Sequence, residues 1–270
     1  MDTRLSALSI VSLVMFVAAA ITATTVQAAV VAPPIHGKFD YQIGGTYQPA
    51  DDVAIVDRDA TDSPTAGRYN ICYLNAFQTQ PDSLRWWKRH HRNLLLTRNG
   101  RIVKDTTWNE ALLDTSTQRK RQALAELVSS WVAGCKTQGF DAVEFDNLDS
   151  YARSNGRLHI RHNLLYARLL VVSAHSLGLA AAQKNAVELS QRGKDLVGFD
   201  FAIAEECQRY HECNGYRRAY GNNMVEIEYT DYARRVFEAA CNARGSVISI
   251  LRRDRKVVPV GHRGYRYETC

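Results

Sequence analysis

Carboxylates recur in this sequence where short apolar runs stop. Val143-Glu144-Phe145-Asp146-Asn147 is followed by Asp149 and Tyr151, Ala204 by Glu205-Glu206-Cys207, and Val225-Glu226-Ile227-Glu228-Tyr229 alternates acidic with apolar side chains. Side chains along a strand alternate between faces, so Ala142, Glu144 and Asp146 share one face and Val143 and Phe145 the other. The same alternation is expected to turn Glu226 and Glu228 inward, and Glu205 together with Ile203. Inward carboxylates are unfavourable unless a cation, water or a substrate engages them. Two carboxylates across a cleft are what glycosidic hydrolysis requires, one ionised as nucleophile or base and one protonated to serve the leaving oxygen. Like charge and burial drive such a pair apart in pKa. The competing reading is a structural set of buried ion pairs, with Lys184 as the cation.

Other chemistries find less support. The eight histidines are scattered; His90-His91 lies in a basic stretch, and His159 and His162 lack a nearby carboxylate or cysteine to complete a metal site. There is no H-E-x-x-H, no phosphate-binding glycine loop and no G-x-S-x-G turn. A site made of Asp and Glu alone would suit calcium or magnesium, but Lys184 would compete for the same oxygens, so neither metal nor cofactor is expected. Tyr41, Tyr73, Tyr151 and Tyr229 are placed either to stack on sugar rings or to pack in a core.

The elements that must carry these residues alternate between short apolar runs and helical patterns. Strands are expected at Phe39–Ile43, Val53–Asp57, Tyr69–Asn75, Ala142–Asp146, Leu179–Gln183, Phe199–Ala204, Val225–Tyr229 and Val247–Leu251. Helices are expected from about Thr117 to Lys136, Arg161 to Leu177 and Tyr232 to Ala243, closed by Gly139, Gly178 and Gly245 respectively. Eight strands with intervening helices imply an α/β fold, a (β/α)8 TIM-like barrel whose active site lies at the carboxyl ends of the strands. The first quarter is irregular, because the stretches from Gly44 to Asp52 and Arg58 to Arg68 are too short for a crossover helix. Strand-like pieces at Leu94–Leu96 and Arg101–Val103 add to it.

Residues 1–28 read as a secretory signal peptide, with Arg4 before an apolar run from Leu5 to Ile21 and a small-x-small site at Val26-Gln27-Ala28. The mature chain is then one barrel domain, 29–270, secreted or periplasmic and without stable membrane association after cleavage. Six cysteines suit an oxidising compartment, and sequence alone leaves 15 pairings. The net charge of +6 is mild. Among the basic clusters only the one around Trp86 and Trp87 contains aromatic residues, so a nucleic-acid partner is not expected.

The stretch Gly139-Phe140-Asp141-Ala142-Val143-Glu144-Phe145-Asp146-Asn147-Leu148-Asp149-Ser150-Tyr151 resembles the signature of glycoside hydrolase family 114, whose members are endo-α-1,4-polygalactosaminidase-like (β/α)8 barrels. The likeness continues through Phe39-Asp40-Tyr41-Gln42-Ile43-Gly44, Ile71-Cys72-Tyr73, Leu113-Asp114, Lys184-Asn185-Ala186, Glu205-Glu206-Cys207 with Cys213, and Glu228-Tyr229. It implies Asp146 as nucleophile and Glu205 as general acid/base, by analogy with retaining α-glycosidase barrels. It also implies Asp40, Tyr73, Lys184 and Glu228 as lining of the sugar site; Glu144, Asp149, Tyr151 and Tyr229 join them as candidate substrate contacts. Gln80 stands where the better-known members carry Glu, and the insertion-like stretch from Pro81 to His91 is particular to a subgroup; both are expected near the substrate cleft.

On the barrel topology, Cys72 faces outward from its strand toward Cys135 on the following helix. Cys207 and Cys213 are close in the loop after Glu205, and Cys241 and Cys270 remain to tie down the carboxyl terminus. The expected function is hydrolysis of an α-linked galactosamine or galactose-type polysaccharide. A glycan-binding protein without turnover and a metal-dependent hydrolase are the alternatives, the latter distinguished by sensitivity to chelation.

Overall fold

The structure, a computed structural model, describes residues 29–270, so the expected signal peptide lies outside the described residues. Eight parallel strands follow in chain order: β1 (Lys38–Tyr41), β2 (Val53–Asp59), β3 (Tyr69–Asn75), β4 (Ala142–Asp146), β5 (Ala180–Lys184), β6 (Phe201–Glu205), β7 (Met224–Tyr229) and β8 (Ser249–Arg253). Each pairs with the next, and β9 (Tyr267–Thr269) adds antiparallel to β8. Among the described residues no backbone ladder joins β8 to β1. Ser249 Oγ donates to the carbonyl of Gly37 and the Tyr267 hydroxyl to that of Phe39, so side chains close the TIM-like barrel at this seam.

Period-two alternation separates two cores. Phe39, Tyr41, Ile55, Ile71, Ala142, Ala182, Phe201, Ile203, Val225, Ile227 and Leu251 fill the barrel interior. Cys72, Leu74, Val143, Phe145, Ala181 and Ala204 face outward onto the helices. The longest helix, α2 (Gln118–Gln138), presents Leu124, Val128, Val132 and Cys135 to that layer. Thr117 caps its first turn by accepting from Lys120 N, and Gly139 ends it at φ 99°, a left-handed conformation that glycine adopts without strain. The helices α3 (Ile160–Ser176), α4 (Cys213–Tyr220) and α5 (Arg234–Arg244) cover the later strands.

No helix lies between β1 and β2 or between β2 and β3, as the short gaps require. The link from β3 to β4 is instead long. It holds α1 (Leu84–His90) and two small hairpins, Thr97–Arg98 with Arg101–Ile102 and Lys104–Asp105 with Glu110–Ala111. Leu96, Val103, Leu112 and Leu158 form a small core of its own beneath this excursion.

The cysteines pair as the topology implies: Cys72–Cys135 staples β3 to α2, Cys207–Cys213 closes the loop after β6, and Cys241–Cys270 ties the carboxyl terminus to α5. Gly44 lets the loop after β1 meet the carboxyl-terminal loop, since a Cβ there would stand 2.5 Å from the Lys256 carbonyl. That contact forms one wall of the opening at the carboxyl ends of the strands.

Among the described residues no helix is long and apolar enough to cross a membrane.

Candidate active site

The carboxyl ends of β3 to β7 converge on a cleft of 420 Å³. Asp146 ends β4, and the chain turns at once through Asn147 at φ 67°, a left-handed conformation that asparagine tolerates. The turn aims the Asn147 backbone N–H at Asp146 Oδ1, 2.6 Å away, while the Tyr73 hydroxyl of β3 donates to Oδ2 at 2.7 Å. Glu205 ends β6 in a matching environment. The Tyr229 hydroxyl of β7 donates to its Oε1, and Asn185 Nδ2 donates to its Oε2 at 2.7 Å. Asn185 also accepts from the backbone N–H of Glu205 at 2.8 Å, which locks the pair of residues together.

Between the two carboxylates stands Lys184, the last residue of β5. Its Nζ lies 3.6 Å from Glu205 Oε2 and 4.0 Å from Asp146 Oδ1. The two acidic side chains are 22% and 20% exposed toward the cleft, whereas Lys184 is 1% exposed and serves them from below. Burial opposes its charge, but Asp146, Glu144 and Glu205 outweigh that and hold the ammonium protonated well above the ordinary lysine range. Burial alone would raise Glu205; Lys184, then Tyr229 and Asn185, reverse this and hold it below the usual glutamate value.

One layer deeper, Lys184 donates to Glu144 Oε1 and to the Tyr41 hydroxyl, both at 2.7 Å. Glu144 is fully buried beneath the cleft, so it supports the site and does not line it. Its second oxygen faces Asp57 of β2, also fully buried. Burial and the neighbouring Glu144 push Asp57 well above the carboxylate range, so it stays neutral and donates its proton to Glu144. The layer beneath Asp146 and Glu205 therefore carries one cation, Lys184, and one anion, Glu144.

The excursion between β3 and β4 supplies the opposite wall, with Asp105, Trp108 and Glu110. Arg153 bridges Asp105 at 2.9 Å and Asp149 at 2.7 Å. Glu110 is pushed up to about 7, by burial first and then by the charge of Asp146, against the bond from Asn75. On the far rim the Arg255 guanidinium lies 3.9 Å from the centre of the Tyr229 ring and binds Glu206 and Asp231.

Of the residues singled out from sequence, Asp146, Glu205, Tyr73, Asp149, Lys184 and Tyr229 meet in this cleft. Besides Glu144, which was expected to contact substrate, three expectations are corrected. Glu226 and Glu228 point outward, because Val225, Ile227 and Tyr229 occupy the inward set on β7. Glu226 grips Arg244 of α5 at 2.9 Å, and Glu228 accepts from the Gln208 backbone. Asp40 likewise faces out between inward Phe39 and Tyr41, held by Gln42 and Tyr47. Tyr151 turns away to Glu188 and packs on the core of the excursion. Gln80 lies beside the cleft, lining a neighbouring groove that shares Tyr73 with it, and donates to Asp59 at 3.3 Å.

Asp57, Asn185, Glu110, Trp108 and Arg255 were not anticipated from sequence. Asn185 directly follows a strand-end lysine, a position from which it was legible; the others reach the site through loops or across the barrel. Among the described residues the side chains close enough together to hold a metal are Cys207, Cys213 and Glu226. The two sulfurs are bonded to each other and the carboxylate is taken by Arg244.

The profile of glycoside-hydrolase family GH114 matches residues 20–270. Among solved structures, Ega3 of Aspergillus fumigatus, in complex with galactosamine, is 21% identical with a TM-score of 0.71, covering 92% of this chain and 100% of that one. The glycoside hydrolase domain of PelA from Pseudomonas aeruginosa is 16% identical with a TM-score of 0.56, over 83% of this chain and 96% of that one. At these identities the likeness establishes the shared barrel. No curated protein matches the sequence.

Proposed function

The chain belongs to glycoside hydrolase family GH114, and on that premise we propose that it cleaves an α-linked galactosamine-type polysaccharide with retention, through Asp146 and Glu205. The observation that carries this reading is the pair of strand-end carboxylates, both open to one cleft and both served by the single buried ammonium of Lys184.

In the first step an Asp146 oxygen attacks the anomeric carbon as the glycosidic C–O bond breaks. The leaving oxygen takes a proton from Glu205, and a glycosyl ester on Asp146 remains. In the second step Glu205 takes a proton from water, which attacks the same carbon and releases Asp146. Tyr73 and the Asn147 N–H hold the nucleophile in one orientation, and Tyr229 with Asn185 does the same for the acid/base. Because its surroundings hold Glu205 below the usual value, protonation before the first step requires acidic conditions or a bound substrate that excludes water.

The wall of Asp105, Glu110 and Asp149 stays net negative with Arg153 counted, which favours a cationic amino sugar, consistent with the galactosamine in the Ega3 complex. Cleavage of the signal peptide at Ala28 would deliver the enzyme outside the cytoplasm; three disulfides support a secreted or periplasmic location. The test is release of reducing ends from galactosamine polymers by wild type, Asp146→Asn and Glu205→Gln. Cleavage by wild type with near-complete loss in both variants supports the mechanism. Binding without any cleavage by wild type overturns it in favour of a glycan-binding protein.

A further inference from the structure

Two residues beside the cleft hold a left-handed backbone although neither is glycine or asparagine: Glu206 at φ 60° and Val257 at φ 49°. For a branched side chain such as valine this is an outlier, kept only where surrounding contacts impose it. Glu206 directly follows Glu205, and Val257 lies in the loop after β8, where it forms part of the cleft wall. Arg255 joins the two.

The turn from Asp254 to Val257 is closed by the Val257 N–H donating to the Asp254 carbonyl at 3.0 Å. The Asp254 carboxylate accepts from the backbone N–H groups of Val258 at 3.0 Å and Arg266 at 3.3 Å. Val257 itself is buried in the barrel interior. So anchored, the turn directs Arg255 at the ends of β6 and β7. Its guanidinium grips Glu206 through two bonds, Nη1 to Oε2 at 2.9 Å and Nη2 to Oε1 at 2.6 Å. It also reaches Asp231 through Nε at 3.0 Å and Nη2 at 2.8 Å. The same group lies 3.9 Å from the centre of the Tyr229 ring, whose hydroxyl donates to Glu205. Forked bonding combined with stacking is geometry that arginine supplies and lysine does not.

We propose that Arg255 is a positioning residue for the acid/base, fixing the Tyr229 ring on one side of Glu205 and the backbone at Glu206 on the other. The role as acid/base rests on the hydrolase reading. Arg255 also bears on the charge of Glu205. That carboxyl is faced by Lys184 and Asn185 from the end of β5, Tyr229 from β7, Tyr41 from β1 and Tyr216 from α4. Lys184 and Arg255 are the cations that favour its ionised form. Loss of Arg255 removes one of them and leaves Glu206 and Asp231 unpaired, which acts in the same direction.

The test compares Arg255→Gln and Arg255→Lys by hydrolysis of galactosamine polymers across pH and by carboxyl-carbon NMR titration of Glu205, whose signal is assigned by its loss in Glu205→Gln. Arg255→Gln should lower kcat about ten-fold and move the high-pH limb of kcat/KM, which follows the acid, to higher pH. Arg255→Lys retains the charge, so the limb should stay while kcat still falls. Full kcat in Arg255→Lys, or an unmoved limb in Arg255→Gln, overturns the proposal. Should Arg255→Gln fail to fold, Glu206→Gln decides alongside Arg255→Lys: it should lower kcat, and the loss in Glu206→Gln with Arg255→Lys should be smaller than the sum of the two. Additive losses overturn the proposal as well. If wild type cleaves no galactosamine polymer but the Glu205 titration moves to higher pH in Arg255→Gln and stays in Arg255→Lys, the hydrolase reading fails and the coupling of Arg255 to Glu205 stands. An unmoved titration overturns that coupling too.

Discussion

Lys184 Nζ stands 3.6 Å from Glu205 Oε2, closer than to Asp146 and from a fully buried position on the neighbouring strand. An ammonium so placed stabilises the ionised form of Glu205 and makes its protonation harder. Replacing it should therefore move the pH dependence of catalysis in a defined direction. In Lys184→Met the lowering influence on Glu205 disappears and its pKa rises, so the profile of kcat/KM against pH shifts to higher pH. The maximal rate should fall about a hundred-fold or more, because the charge that orders both carboxylates is gone. A lower rate with an unshifted profile would show that Lys184 acts in packing alone.

Asp57 tests the layer beneath. Its pKa is raised on folding, so the neutral form it contributes is fully present at low pH and lost as pH rises through the elevated folded value. Asp57→Asn keeps a neutral donor to Glu144 and should remove that loss, giving a protein more tolerant of alkaline pH in denaturant titrations. Asp57→Ala leaves a buried Glu144 oxygen without a donor and should destabilise by about 1–3 kcal/mol. Equal stability of the two variants across pH would refute the shared proton.

Glu110 ionises near neutrality, at about 7, so the cleft gains a negative charge as pH rises through that value. Affinity for a cationic galactosamine oligosaccharide should increase from about pH 6 toward pH 7.5, until the ligand itself loses its proton. Calorimetric titrations of Glu110→Gln should show this rise flattened. An unchanged pH dependence would place the titrating group elsewhere.

The disulfides should separate stability from activity. Cys72–Cys135 closes a loop with a sequence separation of 63 and Cys207–Cys213 one of 6. Loop-closure entropy then predicts losses of about 4 and about 2 kcal/mol for the paired Cys→Ala variants, measured by urea unfolding. The second pair begins two residues after Glu205, so its removal should lower activity more than the first while destabilising less.

Much of this architecture was legible because its signals are local. The strands and long helices lie within a few residues of where apolar periodicity puts them, Thr117 and Gly139 bound α2 as their residue types suggest, and the cysteines bridge the elements that topology brings together. Asp146 and Glu205 were accessible for the same reason: each is the final residue of its strand.

The sidedness of β1 and β7 was not accessible. A period of two sorts Glu226 and Glu228 from Val225, Ile227 and Tyr229, but it does not say which set looks inward. Barrel closure made the choice, seating Tyr229 where its hydroxyl reaches Glu205 and sending Glu226 to Arg244 on the outer helix. Asp57 and Lys184 are 127 positions apart in the chain, and their connection through Glu144 exists only because the closed barrel brings three strands' inward faces to one axis. Order along the chain specified which strand ends carry the carboxylates. The partners that set their charge came from packing, since hydrogen bonds and ion pairs act over a few ångströms of space and are blind to distance in sequence.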